Sequence, residues 1–421
     1  MYKTISRCRI CGNTELVPIL DLGTQALTGV FPKAAEVSVP ITTGPLILVK
    51  CNESPDGNSC GLVQLADIYD MSELYGLNYG YRSGLNSSMA AHLRTITDSL
   101  LAHYPPKEGD LILDIGSNDG TLLSGYPADR FTLAGMDPTG IKFKQYYPKQ
   151  VTLIPEFFSS KSFDTAFGGK KASIVTSIAM FYDMEDPLGF VREVASVLAD
   201  DGVWFFEQSY MPTMLSENAY DTVCHEHQEY YRLKQITYLL DKAGLVAVDI
   251  GFNKINGGSF YCIARKKTIT FASHCADALK ILKTETATLK LNTLKPYLEF
   301  AKTVADHRDA LRDTIAAFNK NGVPITGYGA STKGNVILQY CDFTSRDIGC
   351  IGEINKDKFG CITPGSQIPI VSEDEAKKAS PKQMIVFPWH FKEHIVEREQ
   401  AYLTSGGSLL FPLPKIEVVR L

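Results

Sequence analysis

Residues 218–236, NAYDTVCHEHQEYYRLKQI, gather His225, Glu226, His227, Glu229, Tyr230 and Tyr231 into one short stretch that holds two of the chain's eight histidines. A neutral imidazole accepts a proton near pH 7, and a neighbouring carboxylate can orient it or raise its basicity. The chemistry on offer is general-base catalysis. A His-x-His pair on an extended segment could also ligate a metal, although no third ligand accompanies it nearby, or the segment could serve only as a cap. Upstream, LYGLNYGYRSG at 74–84 sets Tyr75, Tyr79, Tyr81 and Arg82 ahead of an amphipathic helix carrying Met89, Leu93 and Ile96 on one face. Such a loop either packs aromatic rings or supplies phenols to a polar site.

Positioning these groups is the task of a strand, turn and helix pattern at 111–121, LILDIGSNDGT. Leu111, Ile112, Leu113 and Ile115 give a buried strand and Asp114 its polar end. Gly116 and Gly120 frame a turn where backbone approaches a ligand closely. The D-x-G-x-x-x-G spacing is neither the G-x-G-x-x-G of a dinucleotide fold nor a phosphate-cradling P-loop. Asp119 in the turn repels phosphate but not a cationic sulfonium, so the sign favours S-adenosylmethionine (SAM). Asn118 lies in the same turn. After a helix-length gap, FTLAGMDP ends in Asp137, placed to accept hydrogen bonds from ribose hydroxyls. Further strands are predicted at 151–155, 172–181 (with Ser177) and 202–209, with a helix after Pro187 between the last two. LVAVDIGFN, the turn NGG and SFYCIARK predict an antiparallel pair at 245–266, a closing hairpin that suits a class I methyltransferase sheet. The histidine segment follows the carboxyl end of the 202–209 strand, where open α/β sheets hold ligands.

The 421 residues suffice for two or three domains, and 44% hydrophobic with 21% charged residues is ordinary for a globular chain. A formal charge of −5 with no basic tract argues against a nucleic-acid partner. Apolar runs are strand-sized and the start lacks a signal core, so the expectation is no membrane span and a cytoplasmic location. The ten cysteines then read as reduced thiols apart from suitable clusters. Cys8 and Cys11 form a C-x2-C knuckle, and Cys51 and Cys60 a looser pair with ESPDGNS read as a turn between them; four thiolates could enclose a structural zinc. Unligated thiols, or a zinc ribbon reading nucleic acid, are the alternatives, the latter disfavoured by the acidic charge. In the C-terminal third, helical stretches split near Pro296 precede VPITGYGASTKGNVIL, a second strand, glycine loop and helix. Its G-x-G-x4-G loop invites a second cofactor such as NAD. Lys333 is a candidate diphosphate contact or a solvated helix-start lysine. His390 and His394 have i, i+4 spacing that would suit a metal or an exposed helix face.

Taken in order, the four-cysteine start with DLGTQALTGVF, CGLVQL, YGYRSG, DIGSNDGTLL, HEHQEYY, NGGSF, GYGASTKGN and TPGSQIPI resemble the three-domain sugar C-methyltransferases of deoxysugar biosynthesis over nearly the whole chain. The resemblance implies an α/β protein: a class I methyltransferase Rossmann-like core at 74–268, an N-terminal zinc-binding domain at 1–73, and a C-terminal Rossmann-like domain at 269–421 that completes the substrate site. It implies SAM as methyl donor, a structural zinc on Cys8, Cys11, Cys51 and Cys60, and a nucleotide-linked 4-keto-6-deoxyhexose methylated at C3, giving a branched sugar. His227 matches the family's base, Glu226 its carboxylate neighbour, His225 a group for the sugar or enolate oxygen, and Tyr79 or Tyr81 the active-site tyrosine. Asp114, Gly116, Asn118, Asp119, Gly120, Asp137 and Ser177 are the expected cofactor contacts, and Cys224, Tyr182, Asp183, Lys333 and Asn335 the expected substrate contacts. Cys224 stands where many relatives have tyrosine, and Tyr182 and Asp183 where they often have Asn and His. An O- or N-methyltransferase, or a zinc-dependent binding protein with a vestigial SAM loop, are the competing functions; a monomer or small homo-oligomer is expected.

Overall fold

The computed structural model describes residues 2–34, 41–53, 59–75, 79–267, 276–321 and 324–421. The turn expected between Cys51 and Cys60, Cys275 and the 268/269 boundary fall wholly or mostly outside these residues. Besides a two-strand pairing of Lys3–Thr4 with Asp67–Ile68, the described residues form three sheets.

In the N-terminal sheet, β1 (Leu16–Ala26), β2 (Thr43–Cys51) and β3 (Val63–Leu65) run antiparallel. Alternation along β1 and β2 turns Leu20, Leu22, Leu46 and Leu48 inward, where they share one apolar core with Tyr297, Val304 and Val336 of the C-terminal third. The outer strand of this sheet is Glu229–Tyr230, from the histidine segment: Glu229 pairs with Gln64 and Tyr230 with Val63. The segment that could do chemistry is thus stitched to the cysteine-bearing sheet.

The middle sheet contains β4 (Leu111–Ile115), β5 (Thr132–Met136), β6 (Thr152–Ile154), β7 (Ala172–Ile178), β8 (Leu198–Ser209), β9 (Leu245–Asn253) and β10 (Ser259–Lys266) in the order β9-β10-β8-β7-β4-β5-β6. Only β10 runs antiparallel to its neighbours. Every residue of β4 is buried, as a central parallel strand covered on both faces requires, which is why LILDI reads as a near-continuous apolar run. Helix α1 (Ser87–His103) covers one face with Met89, Leu93, Ile96 and Leu100 at helical spacing; Asn86 caps it, accepting from the Ser88 and Met89 amides. Helix α2 (Pro187–Val197) covers the other with Phe190, Val191, Val194 and Val197, capped by Asp186 with Pro187 in its first turn.

Two strands depart from the sequence expectation. β8 starts at Leu198, ahead of the expected 202, because a bulge before Val203 absorbs the acidic ADDG run. β7 stops at Ile178 because Ala179 takes a positive φ of 53°, and 181–183 form a short 3-10 turn. That left-handed alanine, uncommon for a residue with a Cβ, re-aims Tyr182 and Asp183 at the sheet's carboxyl edge.

The C-terminal sheet comprises β11 (Ile325–Tyr328), β12 (Ile348–Glu353), β13 (Ile370–Ser372), β14 (Gln383–Val386), β15 (Ser408–Phe411) and β16 (Glu417–Val419). Their order, β13-β12-β11-β14-β15-β16, is that of a doubly wound Rossmann sheet with the last strand reversed. Helix α3 (Lys295–Phe318), with Pro296 in its first turn, lays Tyr297, Phe300, Val304, Leu311 and Ile315 into the shared core. Helix α4 (Thr332–Tyr340) starts at the glycine loop, its cap Ser331 accepting from the Gly334 amide. Among the described residues no helix is long and apolar enough to cross a membrane.

Candidate active site

The turn after β4 is shaped for close backbone approach. Gly116 and Gly120 have φ of 72° and 74°, and a Cβ would lie 2.9 Å from Met180 Cγ at the first and 2.8 Å from Tyr147 Cδ1 at the second. Asn118 is also left-handed, with φ of 49°. Asp137 at the end of β5 ties the turn together: Oδ2 accepts from the Asn118 amide at 2.8 Å and Oδ1 from the Thr139 amide and hydroxyl, each at 2.6 Å. Burial raises its carboxyl above the ordinary range, although these hydrogen bonds oppose the shift. Asp114 accepts from the Thr176 hydroxyl at 2.6 Å, and burial pushes its pKa up to about 7. Ser177 faces the sheet interior, where it accepts from the Trp204 indole at 3.0 Å.

Above this turn lies the tyrosine-rich segment. Asn118 accepts from the Ser83 amide at 2.9 Å and donates to the Tyr81 carbonyl at 3.2 Å, and Asp119 accepts from the Gly84 amide at 3.0 Å. The Arg82 guanidinium lies 3.9 Å from the centre of the Tyr146 ring and 3.7 Å from Asp119. The segment is gripped from the far side too: Asn355 donates to the Gly80 carbonyl at 3.2 Å and Lys142 to the Tyr79 carbonyl at 2.8 Å. Tyr79 faces inward near Asp183, whereas Tyr81 is 47% exposed.

His227 sits at the sheet's carboxyl edge. Its Nδ1–H donates to the Thr222 carbonyl at 2.8 Å, which leaves Nε2 as the basic nitrogen. Burial, aided by the positive charge of Lys333 and opposed by the Thr222 carbonyl, lowers its pKa to about 4. The Tyr182 ring packs against the imidazole with centroids 4.3 Å apart, and the two line a small cavity with Thr222, Met211 and Met214.

A turn at 225–226, closed by the His227 amide donating to the Cys224 carbonyl at 3.1 Å, sends the neighbouring side chains elsewhere. Glu226 points at the end of β1, where Oε2 accepts from the Thr28 hydroxyl at 3.2 Å; a Cβ on Gly29 would fall 1.9 Å from Oε1, so only glycine permits this approach. His225 is fully buried against Tyr69, ring centroids 4.6 Å apart, with Thr28 Oγ1 3.4 Å from Nδ1. It does not share the His227 cavity. Cys224 is also fully buried, and burial pushes its thiol well up, leaving it protonated.

Asn335 donates to the Thr28 carbonyl at 2.7 Å, so α4 holds the β1 end that receives Glu226. Lys333 donates to the Asn256 carbonyl at 2.7 Å, and its charge is felt by Asp221, His227 and His390. Asp221 in turn accepts from the Trp389 indole at 2.7 Å. Asp183 accepts from the Tyr75 hydroxyl at 2.6 Å. Thr28, Gly29, Thr222 and Asn355 were not singled out by spacing, since each acts through a backbone group or a partner distant in sequence.

The four N-terminal thiols converge. Cys8 Sγ lies 3.4 Å from Cys60 Sγ and Cys11 Sγ 3.6 Å from Cys51 Sγ, with all four within 4.8 Å of one another. Tetrahedral thiolates on zinc stand about 3.8 Å apart, so the cage fits a zinc ion whose four protein ligands leave no open position. Arg9, inside the knuckle, donates to Gln64 Oε1 at 3.2 Å and pairs with Glu229 at 3.5 Å. The metal cage therefore braces the strand that carries the histidine segment.

Three family models match successive parts of the chain. Residues 8–75 match the family model of a zinc binding domain, 86–250 that of a methyltransferase domain, and 254–414 that of a C-methyltransferase C-terminal domain. The chain is 27% identical over 421 residues to the C-methyltransferase NovU of Streptomyces niveus, covering 100% of this chain and 98% of that protein. Among solved structures, magnesium protoporphyrin IX methyltransferase of Synechocystis PCC 6803 with bound SAM aligns over 42% of this chain and 79% of its own, at 16% identity and a TM-score of 0.32. An O-methyltransferase family protein of Burkholderia thailandensis aligns over 44% of this chain and 59% of its own, at 16% identity and a TM-score of 0.33.

Proposed function

We propose that this chain, which belongs to the family of SAM-dependent C-methyltransferases, methylates C3 of a nucleotide-linked 4-keto-6-deoxyhexose, with His227 as the base. The observation that carries the reading is the tautomer of His227: with Nδ1–H committed to the Thr222 carbonyl, Nε2 is free to take a proton. In the proposed substrate the C4 ketone acidifies the C3 proton, so a neutral imidazole can generate an enolate. Bound SAM supplies an electrophilic methyl group, which the enolate carbon takes.

Each part of the chain has a role in this reading. Asp114, Gly116, Asn118, Asp119, Gly120 and Asp137 form the cofactor turn, and the 79–84 segment covers it. Ser177, held by Trp204, supports β7 beneath the cofactor rather than reaching it. Glu226 anchors the histidine segment to Thr28, and His225 fills the seam against Tyr69. Tyr79 and Tyr182 wall the sugar. Lys333 offers the cation for a diphosphate, close enough to shift His227. Asn335 fixes the β1 end, and Cys224 leaves more room than a tyrosine would. The reading keeps three domains, at 1–73, 74–268 and 269–421, in a cytoplasmic enzyme acting as a monomer or small homo-oligomer.

The test is to incubate the protein with labelled SAM and a panel of nucleoside-diphosphate 4-keto-6-deoxysugars and to locate the added methyl by NMR. A new carbon–carbon bond at C3 is the expected result; a methyl on oxygen or nitrogen refutes it.

A further inference from the structure

Asp183 is a buried acid to which the base and the cofactor turn leave no role. It is 5% exposed, and the Tyr75 hydroxyl donates to its Oδ2 at 2.6 Å. Its Oδ1 is buried and has no hydrogen-bond partner among the described residues. A carboxyl oxygen left so is costly unless something binds there. Asp183 directly follows Tyr182, whose ring lies on His227 with centroids 4.3 Å apart and whose carbonyl accepts from the Gln228 amide at 2.9 Å, so the turn that carries the acid is joined to the segment that carries the base.

We infer that Tyr75 and Asp183 form an oxyanion-binding pair, in which the carboxyl of Asp183 carries its proton on Oδ1 and donates it as a hydrogen bond to the C4 oxygen while the ketone becomes an enolate. The inference rests on the proposed function and adds the group that receives the developing charge. The proton's place follows from Tyr75, which already donates to Oδ2 and leaves Oδ1 as the oxygen that can carry a proton outward. The environment keeps the acid neutral. Burial raises the carboxyl well above its usual range, the carboxyls of Glu226 and Glu229 add to the rise, and the Tyr75 hydrogen bond only partly offsets it. The other groups facing it, the Tyr79, Tyr182 and Tyr230 phenols and the Cys224 thiol, are themselves held protonated by burial. A neutral buried acid stabilises an enolate oxygen that an ionised one would repel.

The electron count closes without another reagent. The C3–H bond breaks, its proton goes to His227 Nε2, and its electrons form the C3–C4 double bond as the carbonyl pair moves to O4. C3 then bonds the methyl carbon as the S–CH3 bond breaks, the sulfonium charge is cancelled, and the ketone reforms. His227 returns its proton to solvent.

The experiment compares Asp183→Asn with Asp183→Leu on the 4-keto sugar that the wild type methylates, using kcat and its pH dependence, with melting temperature and S-adenosylhomocysteine affinity as checks on folding. The amide keeps a donor, so Asp183→Asn should hold kcat within about tenfold of wild type, whereas Asp183→Leu loses about 100-fold. Wild-type activity should fall on the alkaline side as Asp183 ionises, and Asp183→Asn should lack that limb. If Asp183→Leu does not fold, Tyr75→Phe replaces it: loss of the hydrogen bond should move the alkaline limb to higher pH. Equal damage from Asn and Leu, an alkaline limb that survives in Asp183→Asn, or one that Tyr75→Phe leaves in place overturns the oxyanion role while C3 methylation stands. A methyl delivered to oxygen or nitrogen overturns the parent reading and this inference with it.

Discussion

At the scale of single residues, the direction in which His227 is held decides what it can do. The Thr222 carbonyl fixes its tautomer, and a pKa lowered to about 4 keeps it neutral over the physiological range. In the proposed base role the neutral form is the active one, so kcat/KM should be flat through neutrality and fall as pH drops through about 4, a limb that a pH–rate profile reads directly. His227→Asn should cost about 100-fold or more in kcat while SAM affinity, measured by calorimetry, stays near wild type; an equal loss of both would remove His227 from the base role. Gly29 makes a second prediction. A Cβ there meets Glu226 Oε1 at 1.9 Å, so Gly29→Ala must swing the Glu226 carboxylate off Thr28 and loosen one anchor of the histidine segment. Loss of that anchor should lower kcat by about tenfold in steady-state kinetics, with the melting temperature little changed. Histidine and carboxylate chemistry was legible in HEHQEYY. That Glu226 and His225 turn away from the cavity was not, because the turn at 225–226 that separates them from His227 carries no glycine or proline to mark it in sequence.

At the scale of elements, the 79–86 segment is a strap joined at one end to the 116–120 turn, the proposed cofactor turn, through Asn118 and Asp119 and at the other to the C-terminal third through Asn355. Removing the Asn355 hydrogen bond should loosen the cover over the cofactor at a distance. Asn355→Ala is expected to weaken SAM binding about fivefold, the worth of one net hydrogen bond, as measured by isothermal titration calorimetry. The strands of the middle sheet could be read from sequence because LILDI and its neighbours carry their burial in composition, and the closing hairpin announced itself through NGG. The ends of β7 and β8 could not: one is set by a left-handed Ala179 and the other by a bulge, and neither has a residue signature of its own.

At the scale of the whole molecule, the histidine segment is shared property. Its strand Glu229–Tyr230 completes the N-terminal sheet, the zinc cage braces that strand through Arg9 and Gln64, and Asn335 of α4 fixes the β1 end on which Glu226 leans. Stripping the metal with a chelator, followed by metal analysis, should therefore lower kcat by roughly 10- to 100-fold, with a smaller effect on SAM affinity, although no zinc ligand lies in the cavity. The cysteine spacing disclosed the cage. The strand exchange between modules was invisible in sequence, since a two-residue strand has no period to detect. The central claim, that Nε2 of His227 removes the proton at C3 of a 4-keto sugar, is tested most directly by following C3 deuterium uptake by NMR in D2O with S-adenosylhomocysteine bound, so that no methyl can be transferred. Exchange at C3 and not at C5 by the wild type, abolished in His227→Asn, is the predicted result; undiminished C3 exchange in the variant, or none in the wild type, would contradict it.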